Sequence, residues 1–264
     1  MEKNFYMSES SKVPTSEGFR EAFLLHHADT SLILAQRNAE WCGHGPILEQ
    51  DIAITNISLD LIGQARNFYQ YAADLIGNTD EDKLAYLRTE REFKNLLLVE
   101  QPNGDWAQTI LRQFFFSAFQ FLLYTELQKS NDGQIAAIAA KSLKEVTYHL
   151  RWSSEWVVRL GDGTADSNQR MENAIDKLWK YTGELFIPAA YEAEAASDGT
   201  GCDISMLQSR WEEKVRSVFA EATLSYPAKV YNQTGGKQGK HTEHLGYILA
   251  EMQYMQRTYP DSKW

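Results

Sequence analysis

Long runs with helical periodicity, rarely interrupted by proline, are the strongest constraint that this sequence places on its fold. In the clearest run, over about 47–76, seam residues recur every third or fourth position: Ile54, Ile57, Leu61, Gln64, Phe68, Tyr71 and Leu75. Such spacing marks one face of a packed helix. Only six of the 264 residues are proline, which breaks helices because it lacks a backbone N–H. Alternating, strand-like segments are nearly absent, so the sequence predicts an all-α fold.

Other runs of the same kind predict further helices, separated by glycine-containing turns. Their approximate bounds are 19–41, 81–98, 106–129, 134–160, 168–186, 206–222 and 242–257. We expect a loop at 196–201 and an irregular segment at 227–239. Four long amphipathic helices with additional helices behind them predict a helical bundle. We expect one domain over 19–264, preceded by a flexible N-terminal lead-in over 1–18.

Composition and charge narrow the class of protein. The formal net charge is −10, which argues against binding to nucleic acid or to an anionic membrane surface. The most apolar stretch, 114–124, is too short to span a bilayer and contains Gln120, so it predicts a buried helix in the core or in a subunit interface. Cys42 and Cys202 are too few for a disulfide scaffold. Because the polar N-terminus also lacks the apolar segment of a signal peptide, we expect a cytoplasmic protein.

Acid–histidine pairs are the first candidates for chemistry, because di-iron bundles hold their metals with Glu-x-x-His pairs. The chain contains no Glu-x-x-His, only two wider pairs, Glu40 with His44 and Glu145 with His149. The glycines and proline at 43–46 place His44 beyond its helix, which leaves Glu40 as a lone acid that could face inward. In the second pair, His149 follows the apolar stripe and Glu145 lies on its flank. His149 is therefore either a core histidine held by a neighbouring acid or a metal ligand.

Gln64 is the one polar member of its helical seam. A buried amide in such a position usually makes a hydrogen bond across the bundle. Glutamine is a poor ligand for iron, so we expect a structural role for this side chain.

The segment 235–246, GGKQGKHTEHLG, combines glycines, lysines and the start of a helix. Its backbone N–H groups could bind an anion, and the side chains that could contact that anion, coenzyme A or a partner are Lys237, Lys240, His241 and His244. His241 and His244 could also share a helical face as metal ligands. The alternative is a structural loop capped by Thr242. No phosphate-loop spacing occurs and no nucleophile motif is convincing, so these residues by themselves indicate only a helical bundle with polar seams.

Several ungapped motifs occur in a fixed order along the chain. They are AEWCGH at 39–44, ISLDLIGQARNF at 57–68, NLLLVEQPNG at 95–104, YHLR at 148–151, GGKQGKHTEHLG at 235–246 and AEMQY at 250–254. Together they resemble the C-subunit family of bacterial phenylacetyl-CoA epoxidases, over about residues 20–264. The resemblance implies a ferritin-like four-helix bundle with additional C-terminal helices. It also implies a partner of the same fold, the catalytic A subunit, which carries a di-iron cofactor.

The resemblance further implies which iron-ligand positions have changed. The catalytic subunit carries Asp-Glu-Ala-Gly-His in its second bundle helix and Lys-Glu-Glu-Ser-Phe-His in its fourth. On this chain the ligand glutamates fall on Leu61 and Val146, and one ligand histidine falls on Gln64. His149 is retained, and Glu40 is the other ligand candidate that remains.

Two candidate ligands cannot hold two irons, and the acid of the third helix falls near Phe116 or Ser117. The resemblance therefore implies a structural subunit without catalytic residues or a cofactor of its own, with vestigial ligand positions. Its partners would be the A subunit and the other subunits of a complex that uses O2 to epoxidise phenylacetyl-CoA. The alternative is an autonomous di-iron oxidase or oxygenase with atypical ligands around Glu40, Asp60, Glu145 and His149.

Overall fold

Four long helices form the bundle in the computed structural model, which describes residues 16–228, 231–260 and 262. They are α1 (Ser16–Ala39), α2 (Leu48–Ile76), α5 (Trp106–Leu127) and α6 (Gly133–Gly161). Helices α1 and α2 pack as one hairpin, α5 and α6 as a second, and α2 contacts α6 across the bundle. Within these ranges there is no strand. The fold is all-α and consistent with a ferritin-like bundle, as predicted.

Shorter helices connect and cover the bundle. They are α3 (Glu81–Tyr86), α4 (Leu97–Glu100), α7 (Ala165–Leu178), α8 (Ala190–Ser197), α9 (Gln208–Glu221), α10 (Glu243–Met252) and α11 (Tyr254–Thr258). Helices α7 and α9 pack on α5, so α5 is buried on nearly all sides. The apolar stretch at 114–124 is therefore a core helix of this chain. No described helix combines the length and apolarity needed to cross a membrane.

The seam predicted for α2 is largely confirmed. Ile54, Ile57, Leu61, Gln64 and Phe68 are all buried. The prediction is wrong at Leu75, which is 41% exposed in the last turn of the helix, where no neighbouring element covers it.

The continuous helix predicted over 81–98 is wrong. The chain forms α3, a 3-10 turn at Glu90–Glu92 and an extended stretch before α4. The break is stabilised by Asp29 of α1, a buried carboxylate that accepts hydrogen bonds from the side chain of Arg88 and the backbone N–H of Lys94. This carboxylate lies far away in the sequence, so local periodicity cannot reveal it.

Several other predicted bounds need correction. Helix α8 was missed, and the predicted helix at 168–186 ends at Leu178 and continues as 3-10 turns. The predicted last helix is interrupted at Gln253. Helix α1 begins at Ser16, three residues earlier than predicted, and the rest of the predicted N-terminal lead-in lies outside the described residues.

Gly161, at the end of α6, allows a close approach to α9, because a Cβ there would lie 2.3 Å from the carbonyl oxygen of Ala222.

Candidate functional site

The positions that the resemblance assigns to ligand glutamates are filled by aliphatic side chains in the core. Leu61 of α2 and Val146 of α6 are both fully buried and belong to the hydrophobic cluster of the bundle. Neither side chain has a donor atom for a metal. Both positions lie on the apolar seams that periodicity predicts.

A polar network crosses the bundle beside these two residues. Gln64 Nε2 donates to Glu145 Oε2 at 2.9 Å, and Gln64 Oε1 accepts from Gln120 Nε2 at 3.0 Å and from the Tyr124 hydroxyl at 3.3 Å. Tyr124 also bonds to Ser31 of α1. Gln64 therefore makes the cross-bundle hydrogen bond that its seam position predicts. The network includes a residue from each of the four bundle helices.

Glu145 is the acid of this network, and it lies half-buried on the flank of α6. Burial raises the pKa of Glu145, and the hydrogen bond from Gln64 offsets part of that effect. Because the carboxylate is engaged by an amide of its own chain, it does not pair with His149 four residues later.

His149 is fully buried, and its acid partner is Asp60 of α2. Nε2 of the ring lies 2.9 Å from Asp60 Oδ2, and because a carboxylate only accepts, the ring donates this bond. Nδ1 has no hydrogen-bond partner in the described part of the chain. The arrangement matches the interpretation of a core histidine held by an acid, but the acid comes from the opposite helix.

Glu40 does not face the bundle, so the prediction of an inward acid there is wrong. Helix α1 ends at Ala39, and Glu40 lies exposed just beyond it. Its carboxylate accepts from Arg37 Nη1 and from Asn103 Nδ2, both at 2.8 Å. His44 is also exposed and bonds to the carbonyl oxygen of Cys42. The pair formed by Glu40 and His44 is therefore a surface feature.

These residues do not fit a pair of irons. Within the ranges described above, no group of three or more histidine, cysteine, aspartate or glutamate side chains is placed to hold a metal ion. In α5, Phe116 and Ser117 are both buried, and Ser117 accepts from Gln113 Nε2 at 2.8 Å. The acids near the positions that the resemblance assigns to ligands, Glu145 and Asp60, are already bound to Gln64 and His149.

The glycine-containing loop at 235–246 does bind an anion, but that anion is a carboxylate of the same chain. The backbone N–H groups of Gly235 and Gly236 donate to Glu184 Oε1, each at 2.8 Å. The other oxygen of Glu184 accepts from the N–H of Leu97 at 2.8 Å. The N–H groups of Gly235 and Gly236 are therefore not free to bind an external phosphate.

Lys237, which we expected to contact an anion or a partner, points into the protein. Its side chain is 1% exposed. Nζ lies 2.9 Å from Glu192 Oε2 and 3.0 Å from the carbonyl oxygen of Ile187. In this arrangement Lys237 is the counter-ion of Glu192 and is inaccessible to a ligand in solution.

His241 is also engaged internally, so it does not form a metal pair with His244. Nδ1 lies 2.8 Å from Glu100 Oε2, and Nε2 lies 2.9 Å from the carbonyl oxygen of Phe93. Burial acts to lower the pKa of His241, but the hydrogen bond and charge of Glu100 outweigh it, and the pKa is raised. Of the four side chains proposed for this loop, Lys240 and His244 retain access to solvent.

Comparison with known proteins supports the family resemblance that the sequence motifs indicate. A model of the family described as "Phenylacetic acid catabolic protein" matches residues 9–264. The chain belongs to this family. A protein of Escherichia coli (strain K12), named as the C subunit of 1,2-phenylacetyl-CoA epoxidase, is 52% identical over 243 residues, which are 92% of this chain and 98% of that relative.

In this member of the phenylacetic acid catabolic family, sequence reasoning missed much of the polar core. Ser31 and Tyr124 were not identified, and Gln120 was noted only as an interruption of an apolar run. The signal that could have found Gln120 is its position four residues before Tyr124, which places both side chains on one face of α5. Their partner, Gln64, lies on a helix that precedes them by 56 and 60 residues.

Proposed function

We propose that this chain is the structural, non-catalytic subunit of a phenylacetyl-CoA epoxidase in aerobic phenylacetate catabolism. In this role it pairs with the di-iron A subunit and supports it. The observation that carries the proposal is the aliphatic core at Leu61 and Val146, where a di-iron bundle needs carboxylates. The likeness to a relative that is named as the C subunit of such an enzyme supports it.

The polar residues near these positions support the same proposal, because they bind one another. Glu145 accepts from Gln64, and Asp60 accepts from His149. A di-iron centre supplies O2 activation and redox chemistry when it is bound, and we assign that chemistry to the partner. This chain contributes a stable bundle of the same architecture, in the cytoplasm.

The experiment is a turnover assay with purified subunits. Phenylacetyl-CoA, O2 and the reductase are incubated with the A subunit alone, with this chain alone, and with both together. We expect epoxide only when the A subunit is present, and more of it when this chain is added. Turnover by this chain alone, abolished by His149→Ala, would favour the autonomous oxygenase instead.

A further inference from the structure

The outer face of α2 exposes a row of aliphatic side chains. Leu48 is 72%, Ile52 52%, Leu59 60% and Ile62 37% exposed. At 100° per residue they fall within an arc of about 80°, on the side opposite the buried seam. Single exposed aliphatic residues are ordinary on protein surfaces, but several of them on one side of a helix indicate an interaction site.

Helix α6, which contacts α2, presents a row of cations on its outer side. The row comprises Lys141, Lys144, Arg151 and Arg159, all exposed, and the half-exposed Tyr148 lies among them. Arg151 stacks over the ring of Tyr148 at 5.7 Å.

The four cations make no salt bridge to a residue in the described ranges. Glu155 is the one acid that interrupts the row. Unpaired cations are notable here because the formal net charge is −10.

The two rows lie on adjacent helices, because α2 and α6 contact each other. The bond between Asp60 and His149 and the bond between Gln64 and Glu145 both connect these helices. The aliphatic row rises about 21 Å along α2, and the cationic row about 27 Å along α6. A partner helix could therefore contact this surface over several turns.

We propose that this α2–α6 face docks the catalytic subunit of the epoxidase, through an apolar helix of that subunit bordered by carboxylates. The proposal rests on the proposed function. Five aliphatic side chains, counting Ile47 beside Leu48, need an apolar partner surface, and the cations need acids. A second copy of this chain fits poorly, because a two-fold contact uses the same patch on both copies and brings the cations together. Nucleic acid would leave the aliphatic row unused, and the formal net charge of −10 disfavours an anionic lipid surface.

The test measures the dissociation constant between this chain and the purified catalytic subunit. The first variant carries Ile52→Glu and Leu59→Glu, and the second carries Lys144→Glu and Arg151→Glu. Met206→Glu is the matched control, because Met206 is 72% exposed in the turn before α9. All the substituted side chains are exposed, so we expect the variants to fold, and circular dichroism melting checks this.

We expect the aliphatic double variant to weaken binding by about 100-fold or more. The charge-reversal variant should weaken it by about tenfold, with an effect that shrinks as salt is added. Met206→Glu should bind like the wild type. These three results together would support the assigned face.

Other results would overturn the proposal in distinguishable ways. If the wild-type chain binds and both variants bind equally well, the face is wrong and the proposed function stands. If the wild-type chain does not bind the catalytic subunit, the proposed function fails and the docking face fails with it. Loss of self-association alone would assign the face to a second copy. Binding of duplex DNA or phosphatidylserine vesicles that is lost on charge reversal would assign it to a polyanion.

Discussion

Val146 and His149 lie three residues apart on the same side of α6, but they interact with different parts of the bundle. Val146 is fully buried in the hydrophobic core cluster, whereas His149 donates across the bundle to Asp60. A carboxylate at position 146 would be buried without a metal or counter-ion, and desolvation of such a charge is strongly unfavourable. Valine is therefore the residue type that a metal-free core requires at this position.

His149→Ala should destabilise the chain, because it removes a fully buried ring and leaves Asp60 without its donor. We expect the free energy of unfolding to fall by about 2–3 kcal/mol, measured by urea denaturation of the isolated chain. His44→Ala is the matched control, because His44 is exposed, and it should change stability by less than about 0.5 kcal/mol. Equal stability of the two variants would show that the His149–Asp60 bond contributes nothing.

At the scale of elements, the glycine-containing loop at 235–246 is attached to the bundle by three buried carboxylates. Glu184 accepts from the backbone of the loop, Glu192 pairs with Lys237, and Glu100 accepts from Thr242 and His241. These acids come from helices and turns that are distant in sequence. The loop therefore connects α4, α8 and the 3-10 turn at Gly183–Phe186 to the C-terminal helices.

Lys237→Met tests this attachment. The substitution keeps much of the side-chain volume but removes the lysine charge that pairs with Glu192. The other basic partner of this carboxylate, His26 at 3.6 Å, is uncharged at neutral pH because its pKa is lowered to about 3. We expect the free energy of unfolding to fall by about 3 kcal/mol or more, whereas Lys240→Met at an exposed position should change it by less than about 0.5 kcal/mol. Urea unfolding followed by circular dichroism measures both. A stable Lys237→Met variant would show that the ion pair is dispensable.

Two histidines of α1 that pack near this loop make stability depend on pH. Burial, and then the charge of Lys237, lower the pKa of His26 to about 3. Burial and its neighbour His26 lower the pKa of His27 well below its ordinary value. Because the unfolded chain binds protons near pH 6.5 and the folded histidines do not, their contribution is complete above that pH. It is lost as the pH falls from about 6.5 toward 3.

His26→Gln removes one of these two contributions and should reduce the acid sensitivity of the fold. Between pH 7.5 and 5.5, the wild-type chain should lose about 1 kcal/mol more stability than the variant. Glutamine can still donate to the carbonyl oxygen of Lys94, which His26 bonds at 2.7 Å. Urea midpoints at the two pH values measure the difference. Parallel losses in both proteins would mean that His26 is not the group responsible.

The parts of the fold that sequence predicted are those that depend on local spacing. The four bundle helices follow from long apolar periods, and Leu61 and Val146 fall on the seams for the same reason. The break after α3 depends on Asp29, and the loop at 235–246 donates its backbone N–H groups to Glu184. Both acids are distant in sequence from the segments they stabilise. The prediction for Glu40 is wrong because α1 ends one residue before it, and its carboxylate binds Arg37 and Asn103 at the surface.

At the scale of the whole molecule, the chain combines a filled core with an uncovered outer face. The core residues near Leu61 and Val146 are apolar or bound to one another. Helix α2 exposes aliphatic side chains, and the adjacent helix α6 exposes cations. A subunit that supports a partner needs both features, because it must be stable without metal and must present a surface to that partner. We therefore propose that this bundle has kept the architecture of its family without holding iron.

Iron content after reconstitution tests this claim most directly. The isolated chain and its complex with the catalytic subunit are refilled with Fe(II) under anaerobic conditions, desalted and analysed by mass spectrometry of the metal. We predict substoichiometric iron in the isolated chain, the same in its His149→Ala variant, and a pair of irons per catalytic subunit in the complex. Stoichiometric iron in the isolated chain that is lost in His149→Ala would contradict the claim.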